Sequence, residues 1–394
     1  MQASSGPRPL VKSSIELILN HQASTGAYLA APGYGTYDYC WMRDGAFIAS
    51  AMDAHGHHDS AEAFHRWVAR AIERYADKVG LLEGNLETAL RGTEDPLQPL
   101  DDRYVLHTRF TVDGEEGSND WGNFQLDGYG FWLTMLARHL KATLADPTPY
   151  LRAVDLVRRY LSATWELTCF DCWEEYPTRR HSTTWAAVAR GLTDSAGLVS
   201  GESAGMVSKT ITKRLLDDAA VHGVIRKFIC DPRSGAAPVA PSAGLAVAGH
   251  ERVGRVLAED AIDGGVLLVL GELGPLPPNH AAIRATLNRV EDTLVVDGGV
   301  HRYLEDEYYG GGLWIVLAGA LACVQAKYDK TRASEVLDWI ERQADADGYL
   351  GEQVDSALRH PDRRSPWVER WGPPASPLLW SHAMYLLGTA SIKM

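Results

Sequence analysis

The feature that most narrows the fold is a periodicity. In one segment after another of the 394 residues, apolar side chains recur every three to four positions. That spacing builds helices with one buried face. It predicts helices over Val11–His21, Asp44–His55, Ser60–Lys78, Leu126–Ala145, Tyr150–Leu167, Thr183–Ala196, Ser203–His222, Asn279–Thr293, Gly312–Tyr328, Thr331–Ala346 and Leu378–Ile392. Val256–Leu273 is less regular and still favours helix. Strand signals are short and local, near Val224–Ile229 and Thr293–Tyr303. No helix–strand alternation is present that would build a parallel sheet, and no solenoid-type repeat. Asp231–Gly249, rich in Pro, Ala, Gly and Ser, reads as a surface loop, and no break in composition marks a second domain. The expectation is a single all-α domain over residues 1–394, an (α/α)6 barrel with six inner helices ringed by six outer ones. In such a barrel the loops at one end converge, so chemistry belongs in the loops that flank inner helices.

Composition excludes several classes of function. A formal net charge of −13 opposes a nucleic-acid partner, because phosphate binding needs clustered Lys and Arg. An acidic surface suits a neutral substrate. Twelve Trp and 16 Tyr supply faces on which sugar rings pack, although many such rings simply fill cores. Five Cys, an odd number, do not describe a disulfide framework and suit a reducing compartment. Cys169 and Cys172 form a CxxC with no second pair or spaced His to complete a metal site. The first residues hold no apolar signal core, and no apolar run reaches membrane-spanning length. A cytoplasmic location, no membrane contact and no cofactor are the expectations. Monomer and homodimer stay equally open.

Six segments carry polar and aromatic groups in loops beside predicted helices. Tyr37 to Asp44 contains Trp41 and an adjacent Arg43–Asp44 pair. A guanidinium that donates next to a carboxylate that accepts can bind vicinal hydroxyls, while Asp44 is also placed to cap the next helix. Gly117 to Gly128 contains Trp121 as a candidate pocket wall, with Gln125 and Asp127 as polar contacts below it. Phe170 to Tyr176 contains Asp171, Trp173, Glu174 and Glu175. A carboxyl packed on an aromatic ring is desolvated, which favours its protonated form and suits a general acid. His301 to Trp314 contains Arg302, a second candidate clamp, and three consecutive glycines before Trp314. Arg302 can equally pair with Glu305 or Asp306 on a surface turn. Gly348 to Asp355 offers Glu352 as a solvated carboxylate able to accept a proton from water. Ser376 to Ala383 opens the last helix with Trp380. Taken singly, Glu174 and Glu352 are ordinary surface acids.

Together, and in this order, the six segments resemble glycoside hydrolase family 15, the glucoamylase family. The resemblance runs from about Ile15 to Ile392 and implies the same (α/α)6 barrel. It implies Glu174 as general acid and Glu352 as general base of a single displacement with inversion. It matches Arg43 and Asp44 to residues that hold the terminal glucose, and Arg302 to a further sugar contact. Trp121 matches a pocket tryptophan that influences the acid. Asp171 and Glu175 match neighbours of the acid, and Tyr37 an aromatic near the reacting sugar. Trp41, Trp173, Trp314 and Trp380 are implied pocket walls or supports. The implied partner is a small oligosaccharide cut from its non-reducing end without metal or cofactor. Inverting carboxyl pairs sit roughly 6.5–9.5 Å apart, which leaves room for the attacking water. The sequence shows neither the β-sandwich of many prokaryotic relatives nor a starch-binding domain, which favours short α-glucosides, isomaltose first, with trehalose and maltose as alternatives. A phosphorylase would need one carboxylic acid and phosphate, and a non-catalytic sugar-binding relative would need neither carboxylate. A terpenoid-cyclase-like barrel would need a denser acidic motif than Asp101–Asp102 or Asp217–Asp218.

Overall fold

The computed structural model describes residues 8–91, 99–118, 121–199, 202–229, 246–247, 250–251 and 261–393. The loop expected over 231–249 lies almost entirely outside them. In chain order the α-helices are α1 (Leu10–His21), α2 (Met42–Ala54), α3 (His58–Arg74), α4 (Ala76–Gly84), α5 (Leu86–Ala89), α6 (Asp127–Thr143) and α7 (Leu151–Thr164). They continue as α8 (Ser182–Asp194), α9 (Glu202–Arg214), α10 (Ala281–Leu294), α11 (Ile315–Gln325), α12 (Lys330–Arg342), α13 (Pro361–Trp371) and α14 (Leu379–Lys393).

Six elements close a ring. α2 packs on α6, α6 on α8, and α8 on a 3-10 segment, Gly264–Val269. That segment packs on α11, α11 on α14, and α14 returns to α2. Outside the ring lie α1, α3, α7, α9, α10 and α12, so inner and outer elements alternate along the chain. The sequence dictates this sorting. Every residue of α11 except Cys323 is buried, as a helix apolar all round requires. In α12 only five residues are buried, on one face. Glycines set the closest approach in the ring. A Cβ on Gly130 of α6 would lie 2.5 Å from the Ala187 carbonyl of α8, and one on Gly191 would overlap the Gly130 backbone. No helix among the described residues is long and apolar enough to cross a membrane.

The helix expected over Val256–Leu273 is corrected. Residues 256–260 lie outside the described residues, and the rest contracts to the six-residue 3-10 turn. Gly264 and Gly265 explain it. Their Cα positions press on the His301 carbonyl and on Cys172, leaving no room for side chains. The helix expected over Ser60–Lys78 breaks at Tyr75, whose hydroxyl turns inward to accept from the Glu116 amide at 2.9 Å. The helix expected over Ser203–His222 ends at Arg214 in a π-turn, Leu215–Ala219. α13 has no periodic signal: it holds Pro366 and buries no residue fully.

The inner elements all begin at one end of the ring. A four-stranded antiparallel patch knits that end together, in the order Gln353–Val354, Leu313–Trp314, Gly299–Val300, Val295–Val296. It sets Glu352 beside Trp314. The same loop hangs from α14. Ser381 Oγ donates to the Gly351 carbonyl (2.7 Å), and the buried ring of His382 accepts from the Leu350 amide (2.9 Å) while Nδ1 meets Ser14 Oγ of α1 (2.9 Å). Burial holds His382 neutral, its pKa lowered from 6.5 to about 3. The unfolded chain therefore takes up this proton first as pH falls. The stability this site contributes is full above pH 6.5 and declines by about 1.4 kcal/mol per pH unit towards pH 3. Melting curves of wild type and His382→Gln should converge as pH drops from 7 to 4. A constant gap would rule out a neutral His382.

Candidate active site

The acid-bearing loop is a tight turn built around Asp171. Its Oδ1 accepts from the amides of Trp173 (2.9 Å) and Glu175 (2.8 Å), and its own amide donates to the Glu175 carbonyl (3.0 Å). Glu174 at the apex has φ +64° and Tyr176 has φ +51°. Left-handed conformations of non-glycine residues cost about 1–3 kcal/mol each and persist only where surroundings impose them. Here Asp171 imposes them, and the result aims Glu174 into a cavity. Its Oε1 accepts from the Trp41 indole N–H (2.7 Å) and from Gln125 Nε2 (3.3 Å).

Glu352 lies in the same cavity on the strand-knit side. It is buried rather than solvated, and phenol hydroxyls take the place of water: Tyr37 donates to Oε1 (3.2 Å) and Tyr308 to Oε2 (3.1 Å). Tyr308 is reached through a turn that only glycine permits. Gly311 has φ +69°, and a Cβ there would overlap the Asp306 carbonyl. The Tyr37 ring meets Trp41 edge-on at 5.6 Å. One aromatic pair thus touches both carboxylates.

Arg43 and Asp44, in the first turn of α2, line the same cavity. Arg43 Nη1 donates to Gln125 Oε1 (2.9 Å) and pairs with Asp127 (3.1 Å), and its guanidinium lies 5.3 Å over the Trp380 ring. Gln125 and Asp127 therefore hold Arg43 from behind. Arg43 Nε and Asp44 Oδ2 are buried with no hydrogen-bond partner among the described residues. Burial lifts Asp44 to about 7, against the pull of Arg43. The two atoms face each other as an ion pair at 3.7 Å, too long for a hydrogen bond, so a ligand hydroxyl that accepts from Arg43 and donates to Asp44 would satisfy both.

Trp173 and Trp314 form another wall, with ring centroids 5.1 Å apart, and Arg302 lies 5.1 Å from the Trp314 ring. Arg302 is buried, not a surface residue: it pairs with Asp306 (2.5 Å) and Glu175 (3.3 Å). Glu175 is also held by the Tyr303 hydroxyl (2.6 Å) and, like Asp171, sits behind the cavity wall. Trp121 stands one ring behind Trp41, at 5.9 Å. The cavity is open to solvent and encloses about 60 Å³. It gathers Tyr37, Trp41, Arg43, Asp44, Trp173, Glu174, Arg302, Trp314, Glu352 and Trp380 from among the residues expected at the site.

A closed ring of helices with two carboxylates and a polar pair converging at one end agrees with a family model. The model for glycosyl hydrolases family 15 matches residues 8–343. The chain belongs to that family. It is a glycoside hydrolase. It is 38% identical over 380 residues to the isomaltose glucohydrolase of Kribbella flavida, covering 96% of this chain and 91% of that protein. A solved glycosidase superposes with a TM-score of 0.84 at 34% identity, over 98% of this chain and 96% of that one. A single-residue variant of that glycosidase was solved in complex with glucose. The glucoamylase of Saccharomycopsis fibuligera, at 16% identity, shares the fold, with a TM-score of 0.66 over 97% of this chain and 94% of that one.

Within this family 15 site, the sequence did not reveal Lys227 and Asp263. Lys227 is fully buried between Asp171 (2.8 Å) and Asp263. Asp263 in turn accepts from the Trp173 indole (2.9 Å) and from the Gly265 amide (2.6 Å). Burial alone would raise the Asp171 carboxyl, but Lys227 and the amide donors hold it below the usual range. One ammonium therefore ties the acid loop to the short fourth wall of the ring. Lys227→Met would leave two buried carboxylates without a counter-charge, a loss of about 3–5 kcal/mol. Thermal denaturation should show Tm lower by about 5 °C or more, with Asp263→Asn in the same chain recovering part of the loss. An unchanged Tm in the single variant would refute the tie. Cys40, Cys169, Cys172 and Cys323 are free, and Cys172 borders the cavity; Cys230 lies outside the described residues.

Proposed function

We propose that this family 15 enzyme releases glucose from the non-reducing end of short α-glucosides with inversion, and that isomaltose-type α-1,6 substrates are preferred. One observation carries the reading. Glu174 and Glu352 enter one cavity from different elements, each held by fixed hydrogen-bond donors, with Tyr37 and Trp41 spanning the gap between them. In this mechanism Glu174 gives its proton to the glycosidic oxygen as the C1–O bond breaks. Glu352 takes a proton from the water that attacks C1 on the opposite face. Arg43 and Asp44 hold the hydroxyls of the terminal ring, and the aromatic walls cover its apolar faces. Arg43 and Trp380, stacked at 5.3 Å, both line the cavity, and a pocket that holds one terminal ring suits exo attack. The α-1,6 preference is supported by the isomaltose glucohydrolase relative. The free, buried thiols suit a reducing compartment, and we place the enzyme in the cytoplasm.

Proton NMR tests the reading directly. With isomaltose, maltose, trehalose and panose compared at equal concentration, β-glucose should appear first and fastest from isomaltose. Initial α-glucose in excess of the share that the freed reducing-end sugar brings would overturn inversion. Faster turnover of maltose or trehalose would overturn the linkage preference. No glucose from any of the four would overturn the activity.

A further inference from the structure

A second polar cluster lies at the other end of the ring. Asp53 is near the C-terminus of α2 and His139 near that of α6, whereas the cavity takes Arg43 and Asp44 from the N-terminus of α2, and Asp127 at the N-terminus of α6 holds Arg43 from behind. Asp53 follows Asp44 by nine residues, which is about 14 Å along a helix. His65, in the middle of the outer helix α3, completes the group. One donor atom from each of Asp53, His65 and His139 lies within 4.8 Å of the other two.

The hydrogen bonding of this cluster is incomplete in a specific way. His65 and His139 are 0% and 1% exposed. A neutral imidazole carries one N–H and one lone pair, and both need partners when buried. Neither ring nitrogen of His65 has a partner among the described residues, and neither does Nε2 of His139. Nδ1 of His139 lies 3.0 Å from both Asp53 oxygens. An imidazole nitrogen and a carboxylate oxygen that face each other at this distance can both ligate one ion in place of their hydrogen bond, close to the spacing of two ligands on zinc. Asp53 is the member nearest solvent, with 14% of its side chain exposed, and it meets the half-exposed His58 at 2.8 Å.

We propose that Asp53, His65 and His139 bind a divalent transition-metal ion of the zinc class, which pins α2, α3 and α6 together at the end of the ring away from the cavity. Two imidazoles and one carboxylate are borderline donors that suit zinc, cobalt or nickel over calcium or magnesium. Ligand atoms of tetrahedral zinc stand about 3.4 Å apart, within reach of small side-chain rotations from the present spacing. His58 or water supplies the fourth position. The ion is structural and takes no part in hydrolysis.

The test uses untagged full-length protein purified without chelator. Elemental analysis should find about one zinc per chain after gel filtration. Stripped protein should melt lower by at least about 3 °C and recover with zinc, and cobalt should give the visible absorption of a tetrahedral site. His139→Gln should lose the metal and the cobalt absorption while hydrolysis at low temperature stays within about two-fold of wild type. Wild-type protein that holds no stoichiometric metal, shows no cobalt absorption and gains no Tm from zinc would overturn the proposal and leave water as the partner of His65. Because these readouts come from wild type, a variant that fails to fold does not weaken them.

Discussion

Glu174→Gln should lower kcat on isomaltose by roughly 10²–10⁴-fold, the contribution of a positioned general acid, with the fold intact. The substitution preserves shape, and the Trp41 N–H can still donate, now to an amide oxygen. Only the transferable proton is lost. The loss should therefore depend on the leaving group. An α-glucoside with a dinitrophenolate leaving group departs without protonation and should lose far less rate than isomaltose. Steady-state kinetics on both substrates decide the matter. Equal losses on the two would mean that Glu174 does not act as the acid.

Glu352→Ala should show the complementary pattern. A base that activates water is needed whatever group departs, so both substrates should lose roughly 10²–10⁴-fold. The vacated space faces the Tyr37 and Tyr308 hydroxyls, which stand 3.1 Å apart. Azide fits such a space and attacks C1 without a base, so it should restore turnover and yield β-glucosyl azide. An α-azide product would indicate retention and would exclude single displacement. Failure of azide to accelerate the variant, with wild-type-like hydrolysis remaining, would remove Glu352 from the mechanism.

The parts of this molecule that sequence made legible share one property: their signal is local. Helix periodicity is local, so a helix appears in each of the eleven expected segments, although the one from Ser60 breaks at Tyr75 and the one from Ser203 stops at Arg214. The fourth wall of the ring escaped because its conformation answers to neighbours. Gly264 and Gly265 make room for the His301 backbone and for Cys172, and no pattern within 264–269 announces that. α13 escaped for the opposite reason. Its Trp367 packs on Tyr308 and Tyr309, at 5.0 and 5.5 Å, while the rest of it stays near solvent, so it has little apolar stripe to read. At the site, Glu174 and Glu352 were found through short motifs. Lys227 was not, because it lies 56 residues from Asp171 and 36 from Asp263 and gains its meaning only when the ring closes. The same separation hides Asp53, His65 and His139, whose spacing matches no ligand motif. Arg302 was placed among possible surface ion pairs since its partner Asp306 is four residues away, yet Glu175 arrives from 127 residues away to complete its burial.

The hydrogen bonds on Glu174 are unevenly shared between its two oxygens. Both N–H donors, from Trp41 and Gln125, fall on Oε1. An oxygen already facing two donors cannot also carry an acidic proton, so the proton that an acid here delivers resides on Oε2. The two lone pairs of the scissile oxygen are then not equivalent: one side of the departing group is protonated and the other never is. Substrates whose aglycone crowds that side would be cut slowly however well their glucose ring fits. Selectivity among linkages can thus arise from the direction in which a proton travels, before any contact with the second sugar is counted.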